Sequence, residues 1–261
     1  MDASGQSKGS GWILAIATIV AIIGTLAINT LSNFYPPGGK NVGEIANTTL
    51  AGVLITPANY AFAIWGLIYL GLIAYGVYQL GVNQRKDPVI RPVNRLLIVA
   101  CVAQIVWIFL FTLQYFFLSV LAMLGILLPL IGAYIVLRIV RIDRQRRWLA
   151  TYPFSIYLAW ISVATIINVA SALYDAGWRG GLSGVMWTVI MLLVSAAIAL
   201  LVILTQQDIP FTLVYVWAYG AIAVRHADRP MIMLTAIASA VVLVVILTLV
   251  RLRQLPALKT G

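Results

Sequence analysis

The sequence predicts an all-α, polytopic membrane protein, and three observations carry that reading. Of its 261 residues 62% are hydrophobic and only 9% charged, whereas a soluble domain is roughly 45–50% apolar with about a quarter charged. Apolar runs of membrane-crossing length recur along the chain, and helices satisfy their own backbone in hydrocarbon. The net charge of +10 gathers in loops beside those runs, as topology and contact with anionic lipid require. Nothing resembles a nucleic-acid module. The single cysteine, Cys101, lies inside an apolar run. It excludes a disulfide framework and a cysteine metal site, and reads as a small buried hydrophobe.

The first span is expected from Trp12 to Leu31. It is too long for a signal-peptide core and lacks a small-residue cleavage site, so it is read as retained. Thr18, Thr25 and Asn29 within it should face protein. A long connection follows, Ser32 to Pro57, with turns enforced by Tyr35-Pro36-Pro37-Gly38-Gly39 and Thr56-Pro57. Between them Val42 to Leu54 reads as a short interfacial helix within a folded cover; Asn47-Thr48-Thr49 in it is an acceptor sequon. The second span, Asn59 to Leu80, offers close backbone approach at Gly66 and Gly71, and places Tyr75 and Tyr78 at headgroup depth.

After a basic loop, 81–94, come the third span, Leu96 to Leu113, and the fourth, Phe117 to Leu137. Their join, Gln114-Tyr115-Phe116, has neither glycine nor proline. Pro129 should kink or locally unwind the fourth span. Arg138, Arg141, Arg144, Arg146 and Arg147 then form the strongest basic block, a topological anchor or an anionic-lipid or partner site. The fifth span is Thr151 to Tyr174 and the sixth Val185 to Leu204. The seventh, Ile209 to Val224, is short for a perpendicular crossing. The eighth, Met231 to Val250, precedes a basic tail. Eight spans are predicted, with seven the alternative. With both termini cytoplasmic, 13 Lys and Arg fall inside and 4 outside, in the sense of the positive-inside rule.

Three spans each present a narrow aromatic and polar face. At about 100° per residue, Tyr157, Trp160, Ala164, Asn168 and Ser171 share a sector of about 80°. Gln104, Trp107, Phe111 and Gln114 do the same on the third span, and Phe62, Trp65, Tyr69 and Gly76 share a face of about 100° on the second. An unpaired amide in hydrocarbon is costly, so these faces should look inward, at other helices or at something bound among them. Flat aromatic ligands suit such walls. Trp65 and Trp160 are the expected principal walls, with Tyr60, Phe62, Tyr69, Gln104, Trp107 and Tyr157 around them. Asn168 either binds a polar group of the ligand or hydrogen-bonds a neighbouring helix.

A catalytic reading finds little. No acidic or histidine residue falls in a predicted membrane core, so no carboxylate pair, metal-ligand group or nucleophile–base pair is expected. His226 reads as a solvated loop histidine. The lack of embedded charge also weakens an ion-coupled transporter.

Tyr157, Leu158, Ala159, Trp160, Ala164, Thr165 and Asn168 resemble the fifth-helix signature of the TspO/MBR family, the tryptophan-rich sensory proteins related to the translocator (peripheral benzodiazepine receptor) protein. Ile156 stands where that family has proline. Pro57, Tyr60, Phe62, Trp65 and Tyr69 resemble its second-helix pattern, with Ala58 replacing a proline and Tyr60 a tryptophan. The third helix keeps Gln104 and Trp107 but lacks the family's asparagine–tryptophan pair. The resemblance implies a five-helix bundle over residues 1–174, with 175–261 a three-helix C-terminal extension. It further implies binding of a planar hydrophobic ligand, a porphyrin- or haem-type tetrapyrrole or a sterol-like lipid; with the residues offering no catalytic group, the reading is a non-enzymatic sensor or regulator with no required cofactor. A homodimer is implied as well. Two other readings stand beside it: a subunit of a larger membrane complex, and a small-molecule transporter.

Overall fold

The computed structural model describes residues 6–139, 143–178 and 180–253, with side chains from residue 11 onward. Arg141 and Arg179, and the tail beyond Arg253, lie outside the described residues. Among the described residues there is no strand, and seven helices are long and apolar enough to cross a membrane. The protein is an integral, multi-pass, all-α membrane protein.

Helix α1 runs Gln6–Phe34 and α2, in the connection, Val42–Asn47. A 3₁₀ turn, Asn59–Ala63, leads into α3, Ile64–Tyr78. A short α4, Val82–Lys86, precedes α5, Ile90–Thr112, and α6, Phe116–Ile139. Then come α7, Arg144–Arg146, a π turn at Arg147–Thr151 and α8, Tyr152–Asp175. Three helices close the fold: α9, Gly184–Gln206, α10, Ile209–Arg225, and α11, Pro230–Leu252.

Several boundaries differ from the sequence expectation for identifiable reasons. The third span begins at Ile90 rather than Leu96, because Pro92 falls in the first turn, where its missing N–H breaks no bond. The fifth is continuous back to Arg144: Asp143 caps it by accepting from the Arg146 N–H at 2.8 Å, and the π turn precedes Pro153. The join after α5 turns without glycine because Gln114 itself takes a left-handed conformation, φ 63°. Helix α6 continues through Pro129. Tyr75 and Tyr78 are buried rather than at headgroup depth, and the Tyr75 hydroxyl donates to Asn94. Gly66 has open space around it, while Gly71 meets Pro153.

Helix packing closes a ring. α3 lies on α1, α1 on α5, α5 on α6, α6 on α8, and α8 back on α3. The three remaining helices pack on one another and join this ring mainly through α10 against α8. Helix α10 has 17 residues, about 25 Å at 1.5 Å per residue. It nevertheless connects the two ends of the bundle. At its start Asp208 pairs with Arg138 at the end of α6, and at its finish Arg225 donates to the Pro57 carbonyl at 3.2 Å.

Candidate functional site

Inside the five-helix ring, beneath the α1–α3 connection, lies a cavity of about 550 Å³. Its roof is a folded cover. Asn41 caps α2 by accepting from the Glu44 N–H at 2.9 Å, and Glu44 Oε2 accepts from the Asn41 N–H at 2.8 Å. This reciprocal cap satisfies two donors that a six-residue helix would otherwise leave free. The helix ends at Asn47, short of the expected Leu54; the Thr48 hydroxyl turns back onto the Glu44 carbonyl at 2.7 Å. Gly38 seats the cover on the end of α5: a Cβ there would stand 1.9 Å from the Thr112 carbonyl oxygen, a distance no side chain can occupy.

The walls come from the faces expected to look inward. Phe62, Trp65, Gln104, Trp107, Trp160 and Asn168 all line the cavity. Phe62 meets Trp160 edge-on with centroids 6.0 Å apart, and Trp107 stacks on Phe111 at 5.0 Å. Tyr69 and Tyr157 sit behind the wall. Gln104 Nε2 donates to the Tyr69 hydroxyl at 3.0 Å, Asn29 Nδ2 donates to the same oxygen at 2.7 Å, and the Tyr157 hydroxyl donates to Gln104 Oε1. This network orients the Gln104 amide at the cavity wall. Asn168 is committed to protein: its Oδ1 accepts from the Trp107 indole and its Nδ2 donates to the Ser119 hydroxyl at 2.8 Å. Tyr60 lies elsewhere, half exposed and edge-on to Trp217 at 5.4 Å.

Sequence reasoning did not select the polar side of the cavity. Asn33, Asn41, Asn47, Asn59, Thr48 and Glu44 line its roof, and Asn29 its side. The run of asparagines between Asn29 and Asn59 was the visible signal. Asn47 donates to Asn59 Oδ1 at 2.8 Å, which ties the two ends of the cover together. Of the lining residues only Glu44 carries a charge; Lys40 stands outside, 3.3 Å from the Thr48 hydroxyl. Among the described residues no three His, Cys, Asp or Glu side chains are placed to hold a metal ion.

A sequence model of the TSPO-like protein family matches residues 15–249. The chain belongs to the TSPO-like family. The match runs through α9, α10 and α11 as well as the five-helix ring. No curated protein and no solved structure matches the chain.

The C-terminal helices of this TSPO-like protein also reach the cover. The Ala58 N–H donates to the Ala221 carbonyl at 3.1 Å, Trp217 Nε1 to the Ala61 carbonyl at 3.1 Å, and Arg225 to the Pro57 carbonyl. His226 is buried, 6% exposed, rather than solvated as expected. Its ring bonds the Leu54 backbone and its Nε2 has no partner. Burial lowers its pKa below the ordinary histidine value, and Arg229 and Arg225 lower it further.

Proposed function

We propose that this TSPO-like protein is a membrane sensor or regulator that binds a flat, hydrophobic small molecule in the covered cavity, without catalysing a reaction on it. The observation that carries this reading is a space of about 550 Å³ walled by Trp65, Trp107 and Trp160 and roofed by amides. Its size falls within the range of small-molecule sites, roughly 300–1,000 Å³. Aromatic faces supply apolar area, and the amides orient the guest. The candidate guests are a porphyrin- or haem-type tetrapyrrole and a sterol-like lipid.

Electrostatics favour one pose for a tetrapyrrole. Glu44 would repel carboxylates inside the cavity, so a tetrapyrrole's acidic edge belongs at the mouth near Lys40, its ring between the tryptophans. A sterol-like guest needs only one amide for its hydroxyl. In this reading Met123 is the one residue on the lining suited to a haem iron, and the walls rather than axial coordination hold the guest. The charge bias of the loops supports cytoplasmic termini, with the cover on the opposite side.

Titrating the detergent-purified protein with protoporphyrin, haem and cholesterol tests the reading. Saturable binding of one equivalent of a planar guest is expected. Only linear, detergent-like partitioning for all three would refute it. Stoichiometric copurification with a larger assembly through α9–α11 would favour the subunit reading, and cargo flux in proteoliposomes the transporter.

A further inference from the structure

We propose that a groove on the outside of the bundle, separate from the cavity, holds one acyl chain of an anionic phospholipid whose headgroup rests on Arg144 and Arg147. The groove measures about 800 Å³ and lies between α3, α8 and α10. Leu67, Ile156 and Leu213 stand on its sides, and Gly71 and Pro153 form its floor. Apart from the ring tips of Tyr152 and the tryptophans its lining is wholly apolar. In a bilayer such a hollow is filled, because empty space beside packed side chains forfeits dispersion contacts.

The shape of the groove selects a lipid over a partner helix. Trp148 in the π turn and Ile156 on α8 are eight positions apart, as are Ile209 and Trp217 on α10. Each is about 12 Å of helical rise, within one leaflet's half of a hydrocarbon core about 30 Å thick. A spanning helix from another chain would need the full height. The far end is stopped where Trp217 bonds the Ala61 carbonyl and Tyr60 packs edge-on against it. A headgroup too large for the groove therefore has room at the near end.

That near end is built for an anionic headgroup. Trp148 and Tyr152 meet edge-to-face, centroids 5.0 Å apart, and such amphipathic rings favour the membrane interface. Arg144 opens the same continuous helical segment, four positions before Trp148, and is exposed there. Arg147 adjoins Trp148 in the chain. Two neighbouring arginines are already neutralised, Arg138 by Asp208 and Arg146 by Asp87. Asp143 spends its Oδ1 on the Arg146 N–H. Among the described residues neither Arg144 nor Arg147 forms an ion pair. Two unpaired guanidiniums above an apolar slot one leaflet deep match a phosphodiester with its tail below.

The test is native mass spectrometry of delipidated protein titrated with phosphatidylglycerol or phosphatidylcholine of identical chains. Wild type should take its first phosphatidylglycerol more tightly than its first phosphatidylcholine. R144Q/R147Q should weaken that first anionic lipid roughly ten- to thirtyfold, with phosphatidylcholine unchanged. L213W, which fills the groove from its lipid-facing side, should lower first-lipid occupancy for both classes. Equal affinity of wild type for the two lipids would overturn the proposal. So would a double variant that keeps the preference, a folded L213W with wild-type occupancy, or a second protein chain bound in place of lipid. If L213W does not fold, the arginine variant decides alone.

Discussion

Asn168 shows how a single amide shapes the cavity wall through its bonds to protein. It bridges Trp107 on α5 and Ser119 on α6, so it fixes the indole that forms one wall. Replacing it by leucine strands the indole N–H of half-buried Trp107 at the cavity wall. N168L should therefore lose about 1–3 kcal/mol of stability, read as a lower melting midpoint in detergent, while a guest that needs no contact with the amide still binds. An unchanged midpoint would mean that these bonds have no net worth. His226 gives a pH-dependent counterpart. Its lowered pKa means the unfolded chain takes up a proton before the folded one does. Its contribution is present above the ordinary value of 6.5 and is lost as pH falls from there toward the folded-state value. Protease cleavage within the cover, residues 32–58, should be faster at about pH 5.5 than at about pH 7.5, and H226L should flatten that difference. The helical faces made Trp65, Trp107 and Trp160 legible in the sequence. The same arithmetic put Tyr157 beside Trp160, yet Tyr157 is sealed behind Gln104; angle around a helix says nothing of depth.

At the scale of elements, α10 is the least expected feature. It is short for a perpendicular crossing, as its sequence indicates, and specific polar contacts anchor it at both ends. Asp208 accepts from Arg138, from the Tyr134 hydroxyl at 2.9 Å and from the Ser155 hydroxyl at 2.5 Å, and its side chain is fully buried. Asp208 also caps α10, accepting from the Phe211 N–H at 3.1 Å. The tertiary partners that bury it lie 53 to 74 positions earlier in the chain, and no local pattern signals them. Removing one partner of such a pair leaves the other charge uncompensated. D208A should cost about 3 kcal/mol or more, seen as a lower melting midpoint, and R138A/D208A should cost less than the two single changes combined. Additive losses would show that the pair is not coupled. The spans themselves were easily read, since hydropathy and loop charge report them directly. The early start of α5, the π turn and the left-handed Gln114 were not, because each depends on which backbone bonds a neighbouring element leaves free.

At the scale of the whole molecule, five helices close a ring around a space and three more brace its cover. The ring was foreseeable from inward faces on three spans. The bracing was not, because Ala58–Ala221 and Pro57–Arg225 join segments 163 and 168 positions apart, and backbone carbonyls leave no mark on composition. The cover stays folded through Ile45, Leu50, Val53 and Ile55, which are buried in the core, and through its bonds to α10. This bracing also brings the C-terminal helices into contact with the cover of the cavity. The account stands on the chamber being a place for a guest between Trp65 and Trp160. The most direct measurement is the affinity of W65L and of W160L for the planar ligand that wild type binds, each variant first shown to melt as a folded protein. Each substitution should weaken saturable binding by about tenfold or more, in keeping with the worth of an aromatic wall. Wild-type affinity in both folded variants would contradict the account.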